Sequence, residues 1–224
     1  MSEFFVGLDL GQAQDFTAIS VVQQVEVIVD EGPKPFIKKS YGQQASRIIA
    51  RQYHARHLER VKLGTSYPEV VKRVSVIMGR RELEEPELIV DATGVGAAVV
   101  DMLRVAGLFL VPIYITGGDA VGNDGKGGWR VPKRELVGVL QSLLQTGRLK
   151  IAQSLKEANT LTRELLNFKV KVNTAGHDSY EALREGDHDD LVLSLALPVW
   201  FAEMRAGVDY VGNGGATHIR SARR

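Results

Sequence analysis

Three groups of acidic residues, far apart in the chain, carry the side chains best suited to catalysis. Asp9 lies in FFVGLDLGQ, Asp91 in LIVDATGVG, and the pair Asp189 and Asp190 in HDDLVLSLAL. The first two follow apolar runs typical of buried strands, and the third opens a run typical of a helix. Carboxylates gathered at one sheet edge repel one another unless a cation neutralises them. Two Mg²⁺ or Mn²⁺ ions held there would suit phosphodiester hydrolysis.

Each acidic group also has a purely structural interpretation. Asp9 could cap a turn at a strand end, and a similar DLG string occurs in the phosphate-binding turn of actin-like and sugar-kinase ATPases. Asp91 or Thr93 could cap the helix that follows, where GVG lacks the third glycine of a dinucleotide fingerprint. Asp189 and Asp190 are favoured in a first helical turn by the helix dipole alone. The metal-site hypothesis therefore depends on the conjunction of all three groups.

A glycine-rich segment and the basic residues around it form a second candidate site. Residues 117–128 have glycine at half of their positions, which predicts a flexible loop that could contact substrate. Basic side chains in and after this loop suit contact with a phosphate backbone, although a solvated helix start is the alternative. These candidate DNA-binding residues are Lys126, Arg130, Lys133 and Arg134, with Trp129 among them.

Two further residues are expected to support the acidic site without ligating an ion directly. His188 immediately precedes Asp189 and Asp190, and it is predicted to contact a ligand side chain or a phosphate. Asp15 lies close to Asp9 along the chain and could support it or shape the turn. The remaining histidines show no metal-ligand spacing.

Hydrophobic periodicity predicts strands first, then alternating helices and strands, then a closing helix. This order predicts an α/β fold. The predicted strands are 4–10, 17–29, 47–61, LIVD and 108–116. Three predicted helices begin near Pro68, at VGAAVVDML and at Pro132, and two more span residues 155–168 and 189–206. The KVKVN segment with HDSYEA predicts a hairpin or a short strand pair.

Length and composition are those of one ordinary globular domain. The chain has 224 residues and a formal net charge of +1, so any nucleic-acid surface must be local. The absence of cysteine excludes disulfides, thiolate zinc sites and a cysteine nucleophile. No signal peptide or bilayer-spanning run is evident, which predicts a cytoplasmic protein that is not secreted. Residues 1–206 are expected to form the domain, and 207–224 a flexible basic tail.

Six strings taken together resemble the C-terminal nuclease domain of phage large terminase subunits, which has an RNase H-like (retroviral-integrase-like) fold. They are FFVGLDLGQAQDFTAISVV, HLERVKLGTSYPEVVKRV, LIVDATGVGAAVVDML, GWRVPKRELVGVLQ, GRLKIA and HDDLVLSLAL. The resemblance implies a central mixed β-sheet flanked by helices. It also implies that Asp9, Asp91 and Asp190 are catalytic metal ligands, with Asp189 assisting, and that they hold two Mg²⁺ or Mn²⁺ ions.

The resemblance further implies an endonuclease that cuts double-stranded viral DNA from a concatemer in the host cytoplasm. Its implied partners are the packaging ATPase domain, the portal protein and the small terminase subunit, with no membrane partner. The sequence contains no GxxxxGK[ST] loop, so the packaging motor is not predicted in this chain. Three alternatives stay open: a junction resolvase on the same fold, an actin-like ATPase fragment, and a DNA-binding or assembly module without catalysis.

Overall fold

A single mixed sheet forms the centre of the molecule. The computed structural model describes residues 2–11, 15–29, 48–94, 96–174 and 188–212, and these contain eight strands in the order β6-β7-β5-β4-β1-β2-β3-β8. The strands are β1 (Ser2–Asp9), β2 (Ala18–Val29), β3 (Ile48–Arg60), β4 (Glu87–Asp91), β5 (Leu110–Thr116), β6 (Gly122–Asn123), β7 (Trp129–Pro132) and β8 (Leu149–Ile151). The predicted α/β class with a central mixed sheet is confirmed.

Helices cover both faces of the sheet. Those of the described residues are α1 (Tyr67–Met78), α2 (Gly96–Val105), α3 (Lys133–Gln145), α4 (Ala158–Thr174) and α5 (Asp190–Gly212). The apolar faces of α1 and α2 pack on one side of the sheet, and those of α3, α4 and α5 pack on the other. No helix in the described part of the chain is both long and apolar enough to cross a membrane.

Alternation along β1 decides which side chains face α5. The strand is antiparallel to β2 and parallel to β4, so it is central and buried on both faces. Val6 and Leu8 belong to the core under α1 and α2, whereas Phe5 belongs to the core under α5. Since strand side chains alternate, Gly7 and Asp9 share the α5 face with Phe5.

Helix α5 approaches β1 so closely that only glycine fits at the contact. A Cβ atom on Gly7 would lie 1.9 Å from the Ser194 carbonyl oxygen and 2.6 Å from the Pro198 ring. Pro198 lies inside α5 and has no N–H to donate to that carbonyl, four residues earlier. The Ser20 hydroxyl donates to the Ser194 oxygen instead, at 2.7 Å. A side chain of β2 thus replaces the missing helical hydrogen bond.

Several sequence predictions differ from the structure. The KVKVN segment is helical, not a strand, because α4 runs on to Thr174. Extending a formed helix adds a hydrogen bond per residue without new nucleation, and this outweighs the alternating pattern. Helix α5 continues to Gly212, beyond residue 206 where the predicted final helix ends. The sequence also predicts a turn at EGPKP and a strand or an edge excursion at FIKKSYG, and these two segments and HDSYEA lie outside the described residues.

The glycine-rich segment forms part of a β-hairpin and is not the irregular loop that the sequence predicts. It contains β6, which pairs with β7 in antiparallel fashion. Between these strands the Asp124 carboxylate accepts hydrogen bonds from the backbone N–H groups of Lys126 at 2.7 Å and Gly128 at 2.8 Å. These bonds lower the pKa of Asp124. The Asp124 side chain stabilises its own turn, and the glycine content of the segment does not by itself indicate this interaction.

Candidate active site

Two of the predicted acidic residues meet at the carboxyl ends of β1 and β4. The parallel register pairs Leu8 with Val90, so Asp9 and Asp91 follow at the next step on neighbouring strands. Both lie on the face covered by α5, because Asp9 is four residues beyond Phe5 and Asp91 is two residues beyond Ile89, and both of those side chains belong to that core. The charge of Asp91 acts on the Asp9 carboxyl group. Asp9 is only 8% exposed.

The third acidic group arrives from the other end of the chain. Asp190 is the first residue of α5 and is buried. Asp189, just before it, forms an ion pair with Lys133, whose Nζ lies 2.7 Å from Asp189 Oδ2. Since Lys133 is the first residue of α3, this pair joins the starts of two helices beside the ends of β1 and β4.

The electrostatic state of Asp9 and Asp91 reflects their crowding. Burial, followed by the charges of Asp91, Asp190 and Asp189, raises the pKa of Asp9 well above its usual value. Burial also raises the pKa of Asp91, although hydrogen bonds from Thr93 oppose the shift. Buried carboxylates that repel one another in this way are stabilised by a nearby cation.

The turn after β4 fixes Asp91 in place. The Thr93 N–H donates to Asp91 Oδ1 at 2.8 Å, and the Ile115 N–H donates to Thr93 Oγ1 at 2.8 Å. Helix α2 then begins so close by that a Cβ atom on Gly96 would lie 2.4 Å from the Asp91 carbonyl oxygen. Asp91 therefore combines a structural role in the turn with its position beside Asp9.

The chemistry of these donors fits a hard divalent cation. Asp9, Asp91 and Asp190 offer only carboxylate oxygens, the ligands that Mg²⁺ and Mn²⁺ prefer. Electrostatic coupling extends from Asp9 to all three other members of the acidic set. Even so, no three His, Asp or Glu side chains of the described residues are drawn together closely enough to ligate an ion as they stand. The carboxylate oxygens are suitable ligands for the ion, and the carboxylate groups lie further apart than they would around a bound ion.

Comparison with known proteins gives the fold of this site. No protein-family model matches the chain, and no curated protein matches it in sequence. The large terminase nuclease from thermophilic phage G20c is similar in structure, with a TM-score of 0.51 and 20% identity over 88% of this chain and 81% of that one. The human cytomegalovirus terminase nuclease domain gives a TM-score of 0.50 and 14% identity over 92% and 87%.

This chain has the fold of the large terminase nuclease domains. A second structure of the phage G20c nuclease, with bound zinc, gives a TM-score of 0.49 at 20% identity over 88% of this chain and 80% of that one. Because all these identities are low, the likeness establishes the fold, and the activity has to be argued from the site.

The basic residues take three different positions on this terminase nuclease fold. Lys126 and Arg130 are exposed on the hairpin formed by β6 and β7. Arg134 braces the start of the same segment, with Nη1 2.5 Å from Asp119 Oδ1 and Nη2 donating to the Asp119 carbonyl at 2.9 Å. Lys133 lies against Asp189. Trp129, predicted to accompany them, packs edge-on against Trp200 with ring centroids 5.8 Å apart.

His188 and Asp15 border Asp190. His188 Nδ1 lies 3.7 Å from Asp190 Oδ2, and the His188 ring meets the ring of Phe16 edge-on at 5.2 Å. Asp15 is exposed, and its charge contributes to raising the pKa of Asp190. Phe16, which sequence reasoning did not single out, therefore lines the same corner.

Two charged residues at this corner were missed from sequence. Arg60 ends β3, and the buried Glu164 lies on α4. Glu164 follows Leu161 at helical spacing on the apolar face of α4, and an acidic residue there was the available signal. Burial raises its pKa to about 7, against the hydrogen bond from Val192 and the charge of Arg60.

Proposed function

We propose that this chain is an endonuclease that cuts double-stranded DNA with divalent metal ions, as part of viral genome packaging. The observation that carries the proposal is the meeting of Asp9, Asp91 and Asp190 at one edge of the sheet, from residues far apart in sequence. The terminase nuclease fold supports it, because the fold brings those strand ends and that helix start together.

In this proposal Asp9, Asp91 and Asp190 hold the metal, and Asp189 assists. Bound Mg²⁺ or Mn²⁺, as two ions, would activate a water for attack on the phosphodiester and neutralise charge on the departing oxygen. The low exposure of Asp9 shields its carboxylate from bulk water, which strengthens its charge interactions with the other carboxylates. No side chain has to form a covalent intermediate, in keeping with a chain that lacks cysteine.

The cations near the acidic edge would hold the DNA backbone. Lys133, beside Asp189, would place a positive charge next to the scissile phosphate. Lys126 and Arg130 on the hairpin would contact phosphates further along the duplex. Arg134, tied to Asp119, would hold the base of the hairpin as well as contribute charge. Contacts of this kind position a duplex without reading its sequence.

Packaging gives the nuclease its partners in this proposal. The packaging ATPase domain, the portal protein and the small terminase subunit would present the DNA to the acidic edge. A nuclease with little base readout depends on such partners to decide where it cuts.

The proposal is tested by plasmid cleavage with the purified chain in Mn²⁺, Mg²⁺ or EDTA. We expect nicking and linearisation with metal, none in EDTA, and a loss of at least about 100-fold in rate for Asp91→Asn, because a carboxylate ligand becomes a neutral amide. Asp101→Asn is the matched control, since Asp101 is exposed on α2 with its side chain 77% accessible. That variant should cleave at the normal rate.

Two outcomes contradict the proposal. Full cleavage by Asp91→Asn would show that the carboxylates are not the site. Strong preference for a four-way junction over a linear duplex of the same sequence would favour a resolvase on the same fold.

A further inference from the structure

Arg60 lies at the same edge of the sheet as the acidic site. It pairs in register with Ala18, and Ala18 pairs with Asp9, so the three residues form one row across β3, β2 and β1. Directly paired residues point to the same face, which is the face covered by α5. The sheet itself therefore delivers a guanidinium to the corner where α5 begins.

The Arg60 guanidinium joins four separate parts of the chain there. Its Nη2 lies 2.5 Å from Glu164 Oε1 on α4 and 3.4 Å from Asp190 Oδ2 at the start of α5. The guanidinium carbon lies 4.7 Å from the ring centroid of Phe16, between β1 and β2. Glu164 Oε2 in turn accepts the Val192 N–H at 3.0 Å. Glu164 thus accepts hydrogen bonds from Arg60 and from the Val192 N–H, which lies in the first turn of α5 and has no acceptor within the helix.

This arrangement is poorly suited to be a device for stability alone. Ion pairs buried as deeply as this one lose much of their attraction to desolvation. The buried Nε of Arg60 has no hydrogen-bond partner within the described residues, which adds a further penalty. What the pair does achieve is geometric, because it fixes the start of α5 and one oxygen of Asp190 with respect to the sheet.

We propose that Arg60 and Glu164 are positioning residues for Asp190. Glu164 holds the first turn of α5 through Val192, and Arg60 holds Asp190 through Oδ2, so that Oδ1 is presented toward Asp9 and Asp91. This inference rests on the proposed function, since it concerns the same metal site. Partners of ligating carboxylates commonly change metal affinity by about 10- to 100-fold when removed.

Charge and positioning predict opposite effects for Arg60. If the guanidinium acts on the site only as a positive charge, its removal lessens repulsion and strengthens the binding of a cation. If it positions Asp190, its removal weakens that binding even though the site becomes more negative. The sign of the change therefore separates the two roles.

The test is Mn²⁺ binding to the full chain, measured by titration calorimetry and by the electron paramagnetic resonance of free Mn²⁺. We expect Arg60→Met to weaken binding about 10-fold or more, and Arg60→Lys to recover part of the loss. Arg148→Met is the matched control. Arg148 also pairs with a glutamate of α5, Glu203, at 2.5 Å, far along the helix from Asp190. Its variant should bind Mn²⁺ normally.

A double variant separates positioning from folding. Replacing one partner of a buried ion pair leaves the other as an unpaired buried charge, whereas replacing both with apolar residues restores stability. Arg60→Met with Glu164→Met should therefore unfold at a temperature closer to that of the wild type than Arg60→Met alone does, and should still bind Mn²⁺ weakly. Wild-type affinity in this folded double variant, or tighter binding by Arg60→Met, would overturn the positioning role alone. If the wild-type chain and Asp190→Asn both fail to bind Mn²⁺, the proposed function fails, and this inference falls with it.

Discussion

The buried carboxylate of Asp9 opposes the folding of the domain that contains it. Its raised pKa means that the folded state disfavours the ionised form, so at neutral pH the charge reduces the free energy of unfolding. The stability lost here would be recovered only when a cation binds.

We expect Asp9→Asn to raise the thermal unfolding temperature in EDTA at pH 8. Asparagine keeps the shape of the side chain but cannot ionise, so the penalty disappears. Mn²⁺ should then stabilise the wild type and leave the variant unchanged. Asp101→Asn, on the exposed face of α2, should behave as the wild type in both conditions. A variant less stable than the wild type in EDTA would contradict this account.

Sequence reasoning singled out the acidic residues and two of their neighbours, His188 and Asp15, but not Arg60 and Glu164. Asp9 and Asp91 stand out because each ends an apolar run, and Asp190 because it starts one. Arg60 carries no such local mark, and the only mark of Glu164 is an acidic side chain on the apolar face of a helix, since the two meet only when β3, α4 and α5 assemble. The pairing of distant elements is the information that a single sequence does not contain.

At the scale of elements, Ser20 and Pro198 act as a coupled pair between β2 and α5. Ser20→Ala should lower the free energy of unfolding by about 1–3 kcal/mol, because the buried Ser194 carbonyl then has no donor. In a Pro198→Ala background the helix N–H at residue 198 can fill that role. The same serine substitution should then cost much less. Denaturant unfolding of the four proteins gives the coupling energy, and strictly additive effects would contradict it.

The hairpin of β6 and β7 is expected to carry part of the DNA affinity. Replacing Lys126 and Arg130 with alanine removes two exposed cations. The slope of log affinity against log salt for duplex DNA should fall by up to about 2, equally for any sequence. Fluorescence anisotropy over a salt series measures it. Replacing Arg80 and Arg81, an exposed pair after α1, should leave the slope unchanged, and equal losses in both double variants would point to net charge alone.

The long elements were predictable and the short ones were not. Strands β1 to β5 and the starts of α1, α2 and α3 follow from apolar runs, periodicity and Pro68 or Pro132. Strands β6, β7 and β8 are two to four residues long, and their pairing depends on neighbours already in the sheet. The end of α4 was mispredicted because KVKVN alternates like a strand while continuing a helix.

At the scale of the whole molecule, stability without metal should fall as pH rises. The pKa of Asp190 is raised to about 6 and that of Glu164 to about 7, both chiefly by burial. Each group binds its proton more tightly in the folded state. Its contribution to the free energy of unfolding is therefore present at low pH and is lost as the pH rises through these values.

Urea unfolding in EDTA between pH 4.5 and pH 8 measures this dependence. We expect a decrease in the free energy of unfolding on the order of 2 kcal/mol from Asp190 alone over this range, since burial raises its pKa to about 6 and part of the effect is already lost by pH 4.5. Saturating Mn²⁺ should flatten the profile at its upper end. Below this window Glu59 should oppose the trend, because hydrogen bonds from Arg73 and His57 outweigh its burial and lower its pKa. A profile that rises steadily with pH would contradict the prediction.

The contact of Gly7 with Ser194 and Pro198 also determines when the protein can fold during its synthesis. Strand β1 leaves the ribosome long before α5, the helix that covers one of its faces. Until α5 emerges, that apolar face is exposed to water or bound by a chaperone, and the growing chain is prone to aggregation. Asp190 arrives with the same helix, so a nascent chain has no complete acidic site. A chain that ends before α5 therefore exposes an apolar face of the sheet and also lacks Asp190.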